Sequence, residues 1–143
     1  MEKFNHIELN NEVTKRGDNG FFKLEKDQEA IAEFLREVDH RTVKFSSEMK
    51  RLRYLVEENF YYNIFDKYIE DEIVECLELA KNFKFEFKSY MAASKFYKDY
   101  ALKTNDKKQY LENFNQHVFI VAMYLGDGNT ALAKELMIAM LEQ

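Results

Sequence analysis

Apolar residues fall at helical spacing along most of the chain. Ala30, Ile31, Phe34, Leu35 and Val38 step through i, i+1, i+4, i+5 and i+8, which lines one face of a helix. Asp27 is placed to cap that helix or to favour its dipole. Upstream, residues 6–16 predict a short first helix ended by Gly17, and Phe21-Phe22-Lys23-Leu24 reads as an extended packing segment. Downstream, the stretch from Asp39 to Phe45 breaks the pattern and predicts a connection. Ser46 or Ser47 then offers a cap for a helix that buries Met49, Leu52, Leu55 and Val56.

Tyr61, Tyr62, Ile64, Phe65 and Tyr68 crowd a short link, where they are expected to wedge between helices. A helix over Glu70 to Asn82 follows, with Glu70, Asp71 and Glu72 in the turn where the dipole favours acids. Its inner stripe is Ile73, Leu77 and Ala80. Phe83, Phe85 and Phe87 alternate with charged residues, a period of two that by itself signals a strand. No second convincing strand is available to pair with it, so an extended connection inserting alternate rings into the core is the better reading. A helix from about Ser89 to Ala101 and a polar loop over 103–108 come next. Residues 118–125 are apolar all round and predict the most buried helix. After a turn at Gly126, the last helix is capped by Asn129 and points Leu132, Leu136, Ala139 and Met140 inward.

Composition agrees with this helical reading. Proline is absent and the four glycines fall in two short turns, Gly17 to Gly20 and Gly126 to Asn129. A chain of 143 residues fits one domain, and 46% hydrophobic content supplies its core. The fold class expected is therefore all-α, a single compact multi-helix domain. A net charge of −5 disfavours a nucleic-acid or anionic-membrane surface. No stretch approaches the roughly 20 apolar residues of a membrane span, and the start lacks the apolar core of a secretory signal. The single cysteine, Cys76, cannot form an internal disulfide and fits a reducing cytoplasm.

Reactive groups are sparse. His6, His40 and His117 lie far apart without a second ligand at metal spacing, and read as surface or helix-end residues rather than ligands or bases. Cys76 sits mid-helix among apolar neighbours and reads as a buried, inert thiol. The acids Glu57, Glu58, Glu70, Asp71, Glu72, Glu75 and Glu78 lack the Glu-x-x-His pairing of a di-metal bundle and read as solvated faces. Lys95, Lys98, Lys103, Lys107 and Lys108 flank a loop that could hold a phosphate, but with no glycine for close backbone approach a solvated face is favoured. Phe96, Tyr97 and Tyr100 read as core rather than as a base-stacking platform. No phosphate loop, nucleophile elbow or zinc signature is present.

One collinear set of residues carries a resemblance. Lys95-Phe96-Tyr97-x-x-Tyr100-x-Leu102-Lys103-Thr104-x-Asp106, then Tyr110-Leu111-Glu112, Val118-x-x-Val121-Ala122 and Gly128-x-Thr130-x-x-Ala133 resemble a block in class Ib ribonucleotide reductase large subunits. Leu9 to Glu12, Phe22 to Ala30, Thr42-Val43-x-Phe45 and Tyr54-Leu55-Val56 are similar to the same family's first segment. The resemblance implies a partial ATP-cone-like segment over residues 1–88, then the helical start of the large-subunit N-terminal domain over 89–143. A barrel with the redox cysteines would follow in the family. No catalytic, cofactor-binding or metal-ligating residue is therefore expected in this chain, and no cofactor. The partners implied are the barrel-bearing remainder of the large subunit and a radical-generating small subunit.

Three departures qualify this. Asn115-Gln116-His117 is neutral where the family is charged, so an ion pair made there is not carried over. Lys88 replaces a proline. Lys44 and Ser46 replace an aromatic and a histidine, so no nucleotide site is expected between Asp39 and Ser46. The resemblance points to a split or truncated reductase chain, inactive alone. The alternative is a stand-alone helical module acting on a reductase.

Overall fold

The computed structural model describes residues 20–142, with side chains described from Lys26 onward. Its helices are α1 (Gly20–His40), α2 (Glu48–Glu57), α3 (Glu70–Asn82), α4 (Tyr90–Lys95), α5 (Phe114–Gly126) and α6 (Thr130–Leu141). A 3-10 turn spans Ile64–Asp66 and a π turn, Phe96–Tyr100, continues α4. Single bridges join Tyr110 to Thr42 and Lys103, and no strand forms among the described residues. The expected all-α class holds. The described chain gathers into two compact units, one built from the segments up to Thr42 and from Glu86 to Leu111, the other from Val43–Phe85 and Glu112 onward.

In the first unit, α1 buries Ala30, Ile31, Phe34 and Val38, as their spacing predicts. The helix begins earlier than expected. Residues 21–24 are helical, not extended, because the run from Gly20 joins α1 without a break. Asp27 is likewise not the cap of its own helix. Its carboxylate accepts the backbone N–H of Tyr90 at 3.0 Å, so it serves the start of α4 alongside the Ser89 hydroxyl, which takes the N–H of Ala92. A remote acid thus satisfies a donor that every helix start leaves open. The core of this unit is aromatic, with Phe34 edge-on to Tyr90 and Tyr97 at 5.7 and 5.9 Å and Tyr97 edge-on to Tyr110 at 5.4 Å. The short first helix over 6–16 and His6 lie outside the described residues.

In the second unit, α3, α5 and α6 pack together, with Leu52, Ile64 and Tyr68 from the preceding segments joining their core. Phe119, Met123 and Met137 have no exposed surface, and each such side chain contributes about 1.5–3 kcal/mol by leaving water. Ser47, Asn113 and Asn129 cap α2, α5 and α6. At the close of α5, a Cβ on Gly126 would stand 2.8 Å from the Tyr68 hydroxyl and 3.0 Å from the Ala133 Cβ, so only glycine lets α6 turn back this tightly. The left-handed backbone of Asp127 and Gly128 completes the turn. Phe83 to Phe85 runs extended with both rings half-buried and Lys84 outward, and Phe85 stacks on Phe114 at 4.1 Å.

Helix α5 is the most buried helix, as expected, with Val118, Phe119, Ile120, Ala122, Met123 and Gly126 buried, although Tyr124 and Leu125 are 63% and 54% exposed. One expectation fails here. In α6 the buried residues are Ala133, Met137 and Leu141 rather than Leu132 and Ala139, which face outward, while Leu136 and Met140 are half-buried. The inward face lies about 100° from the one expected, because a helix apolar on both sides gives periodicity nothing to choose by.

Candidate functional site

The candidate site is a buried polar cluster in the second unit. Arg51 occupies the inner face of α2, directly before Leu52 and four residues before Leu55. Placed there, its guanidinium cannot reach bulk water and is 3% exposed. Nη2 donates to the Tyr61 hydroxyl at 2.6 Å, and the guanidinium carbon lies 5.5 Å from the centre of that ring. The Tyr61 hydroxyl in turn donates to Oε2 of Glu112. Glu112 is also 3% exposed, and its Oε2 stands 3.9 Å from Arg51 Nη2.

The other carboxylate oxygen is occupied as well. Glu112 Oε1 lies 2.7 Å from Nδ1 of His117, in the first turns of α5. Glu48 extends the cluster, meeting Arg51 Nη1 at 3.4 Å and accepting from Gln116 Nε2 at 2.7 Å. Gln116 also caps α5 reciprocally with Asn113. Burial first, and then the negative charge of Glu112, push the Tyr61 phenol well above its ordinary range. The phenol therefore stays protonated and donates. An acid and a base each cut off from water are tolerated only when their hydrogen bonds are made, and here they close on one another.

This arrangement fastens helices; it does not present a reactive atom. Both Glu112 oxygens are occupied and the carboxylate is shielded from solvent, so it has no open side for a substrate proton. Among the described residues no group of three or more His, Cys, Asp or Glu could hold a metal ion. Burial raises the Cys76 thiol above its usual range, which keeps it in the unreactive form.

The structure disperses the other candidates. His40 ends α1 at the surface, and of the described histidines only His117 joins the cluster. Glu57, Glu58, Glu70, Asp71, Glu75 and Glu78 are exposed, and Glu72 reaches Thr130 and the Ile69 N–H. Lys103 is folded onto the carbonyls of Lys98 and Ala101, both at 3.1 Å, and Lys95 pairs with Asp99. Phe96 and Tyr97 are core, while Tyr100 is exposed. The neutral trio has its own work. Asn115 bonds the carbonyls of Ala80 and Phe83 at 2.9 and 3.0 Å, where α3 ends, while Gln116 and His117 engage Glu48 and Glu112.

Sequence reasoning missed Arg51, Tyr61 and Glu112 as a set. One signal was available: an arginine flanked by the apolar stripe of α2 rather than opposite it. No described helix is long and apolar enough to cross a membrane.

Comparisons with known proteins show the family. Residues 6–85 match the family described as ribonucleotide reductase N-terminal, and residues 86–143 match the ribonucleotide reductase all-alpha domain. The chain is 42% identical over 139 residues to the ribonucleoside-diphosphate reductase subunit alpha of Bacillus subtilis, covering 96% of this chain and 20% of that one. The NrdEB subunit alpha of Bacillus phage SPbeta is 40% identical, with 97% of this chain and 13% of the relative aligned. The Mycoplasma pneumoniae subunit alpha is 35% identical, with 92% and 18% aligned. The chain thus spans a fifth or less of each of these relatives.

Proposed function

From the membership of this chain in the ribonucleotide reductase large-subunit family, as its N-terminal region, we propose that it serves as the helical support of a class Ib ribonucleoside-diphosphate reductase. In this reading residues 1–88 are the partial-cone segment and 89–143 begin the large-subunit N-terminal domain. The chain is enzymatic only as part of the reductase. A barrel-bearing part supplies the cysteines, and a radical-generating small subunit completes the holoenzyme in the cytoplasm.

The observation that carries the reading is the continuous match through both reductase segments by a chain whose buried Arg51 and Glu112 are engaged with neighbouring elements of their own unit. It is tested by replacing the aligned 139 residues of the Bacillus subtilis subunit alpha with this chain. The chimera is expected to reduce ribonucleoside diphosphates with its small subunit, and the purified 143-residue chain to show no turnover. Turnover by the chain alone, or a chimera that folds but is inactive, would overturn it.

A further inference from the structure

The outward face of α6 is built for contact. Ala133, Met137 and Leu141 point into the core, and Ala131, Leu132, Glu135, Ile138, Ala139 and Glu142 point away from it. Four of those six outward residues are apolar, and Leu132 and Ile138 keep 39% and 36% of their surface exposed. A helix that carries apolar residues on its outer face as well as its inner one is normally covered on both. The alanines are small enough to admit a close neighbour between the two larger side chains. The only outward charges are Glu135 and Glu142, and neither makes an ion pair among the described residues.

We propose that this face docks the part of the reductase large subunit that lies outside the region matched here, an inference that rests on the function proposed above. The aligned region fills only 20% of the Bacillus subtilis subunit alpha, so the same helix in that relative is joined to four times as much further protein. The chemistry of the face describes its occupant. It is an apolar surface carrying lysine or arginine opposite Glu135, which stands midway between Leu132 and Ile138, and opposite Glu142 at the helix end. Charge pairs at those places steer the pairing while the apolar side chains around them hold it.

The test uses the full-length chimera described above, made with and without Leu132→Glu plus Ile138→Glu. Val74→Glu, an exposed apolar position on α3, is the control for added charge. The double variant is expected to lower turnover by about tenfold or more and to speed amide exchange along α6. Val74→Glu is expected to leave both unchanged. The isolated chain carrying the double substitution is expected to keep its helical circular dichroism, which separates lost docking from lost folding. An active parent chimera with an equally active double variant overturns the docking face and leaves the proposed function standing. A folded but inactive parent chimera overturns both. If the isolated chain dimerises, the double substitution makes it monomeric and the chimera is indifferent, the occupant is a second copy and the proposal fails.

Discussion

Helices α3 and α6 are nearly equal in length and pack in the same unit, yet their surfaces differ. The outward positions of α3 hold Glu70, Asp71, Val74, Glu75, Glu78, Lys81 and Asn82, with one apolar residue among them. The corresponding face of α6 holds four. In α3 the polar residues mark the outside and so define the inside. In α6 they do not, and the face that packs is chosen by neighbours, above all by the close approach of Ala133 to Gly126. Apolar excess on a helix therefore reports two things at once: an inner face that sequence cannot identify, and an outer face with more hydrophobic surface than this unit uses.

Facing inward or outward thus sets what a residue is worth, whatever its polarity. The hardest test is a charged residue that faces in. Glu112→Ala takes the acceptor from the buried Tyr61 hydroxyl and the facing charge from the buried Arg51 guanidinium, and is expected to cost about 3–5 kcal/mol in urea unfolding. Replacing Arg51 and Glu112 together with apolar residues of similar volume should recover most of that loss. A loss under about 1 kcal/mol for Glu112→Ala would show that water reaches the cluster.

The two faces of α6 supply the next test. Met137→Ala is expected to cost about 2–5 kcal/mol, like Ile73→Ala on α3, because both side chains are fully buried. Leu132→Ala should stay within about 0.5 kcal/mol in the isolated chain. Equal costs at Met137 and Leu132 would mean that the inward face has been misassigned.

These tests fall where sequence and structure parted. Helix α3 was readable to its end residues, since acids crowd its first turn and its stripe is purely apolar. Ser47 and Asn129 were readable as caps because each acts on its own helix, three residues away. Asp27 was not, since it caps a helix 63 positions on. Tyr61 and Glu112 are 51 positions apart, and nothing local in either marks the other as its partner. The π turn at Phe96–Tyr100 also left no periodic trace, because the same residues would fit another turn of α-helix.

The helix starts differ by a smaller amount. Asn129 accepts the N–H of Leu132 at 3.1 Å, so Asn129→Ala should cost about 1 kcal/mol. The residue before α3 is Ile69, which is 65% exposed and has no oxygen to offer the first turn. Ile69→Ser should stabilise the chain by about 0.5–1 kcal/mol in thermal unfolding. No gain would mean that Glu72, which accepts the Ile69 N–H at 3.1 Å, already does as much as a capping side chain could.

The smallest effect joins the two helices directly. The Thr130 hydroxyl, at the first position of α6, donates to Oε2 of Glu72 in the first turn of α3. That bond, and after it the Ile69 N–H, holds the Glu72 carboxyl below its ordinary value. A carboxyl whose proton affinity falls on folding adds stability only while it is ionised. The contribution is therefore complete above the unfolded value of about 4.3 and fades as pH drops through the lower folded one. Thr130→Val keeps the shape of the side chain and removes the donor. In an NMR titration the Glu72 midpoint should then rise toward the ordinary range, with the Ile69 N–H keeping part of the depression. The acid limb of the stability profile should soften in step. A midpoint that does not move would mean that the hydroxyl turns elsewhere in solution. The tie between α3 and α6 would then rest on their apolar faces alone.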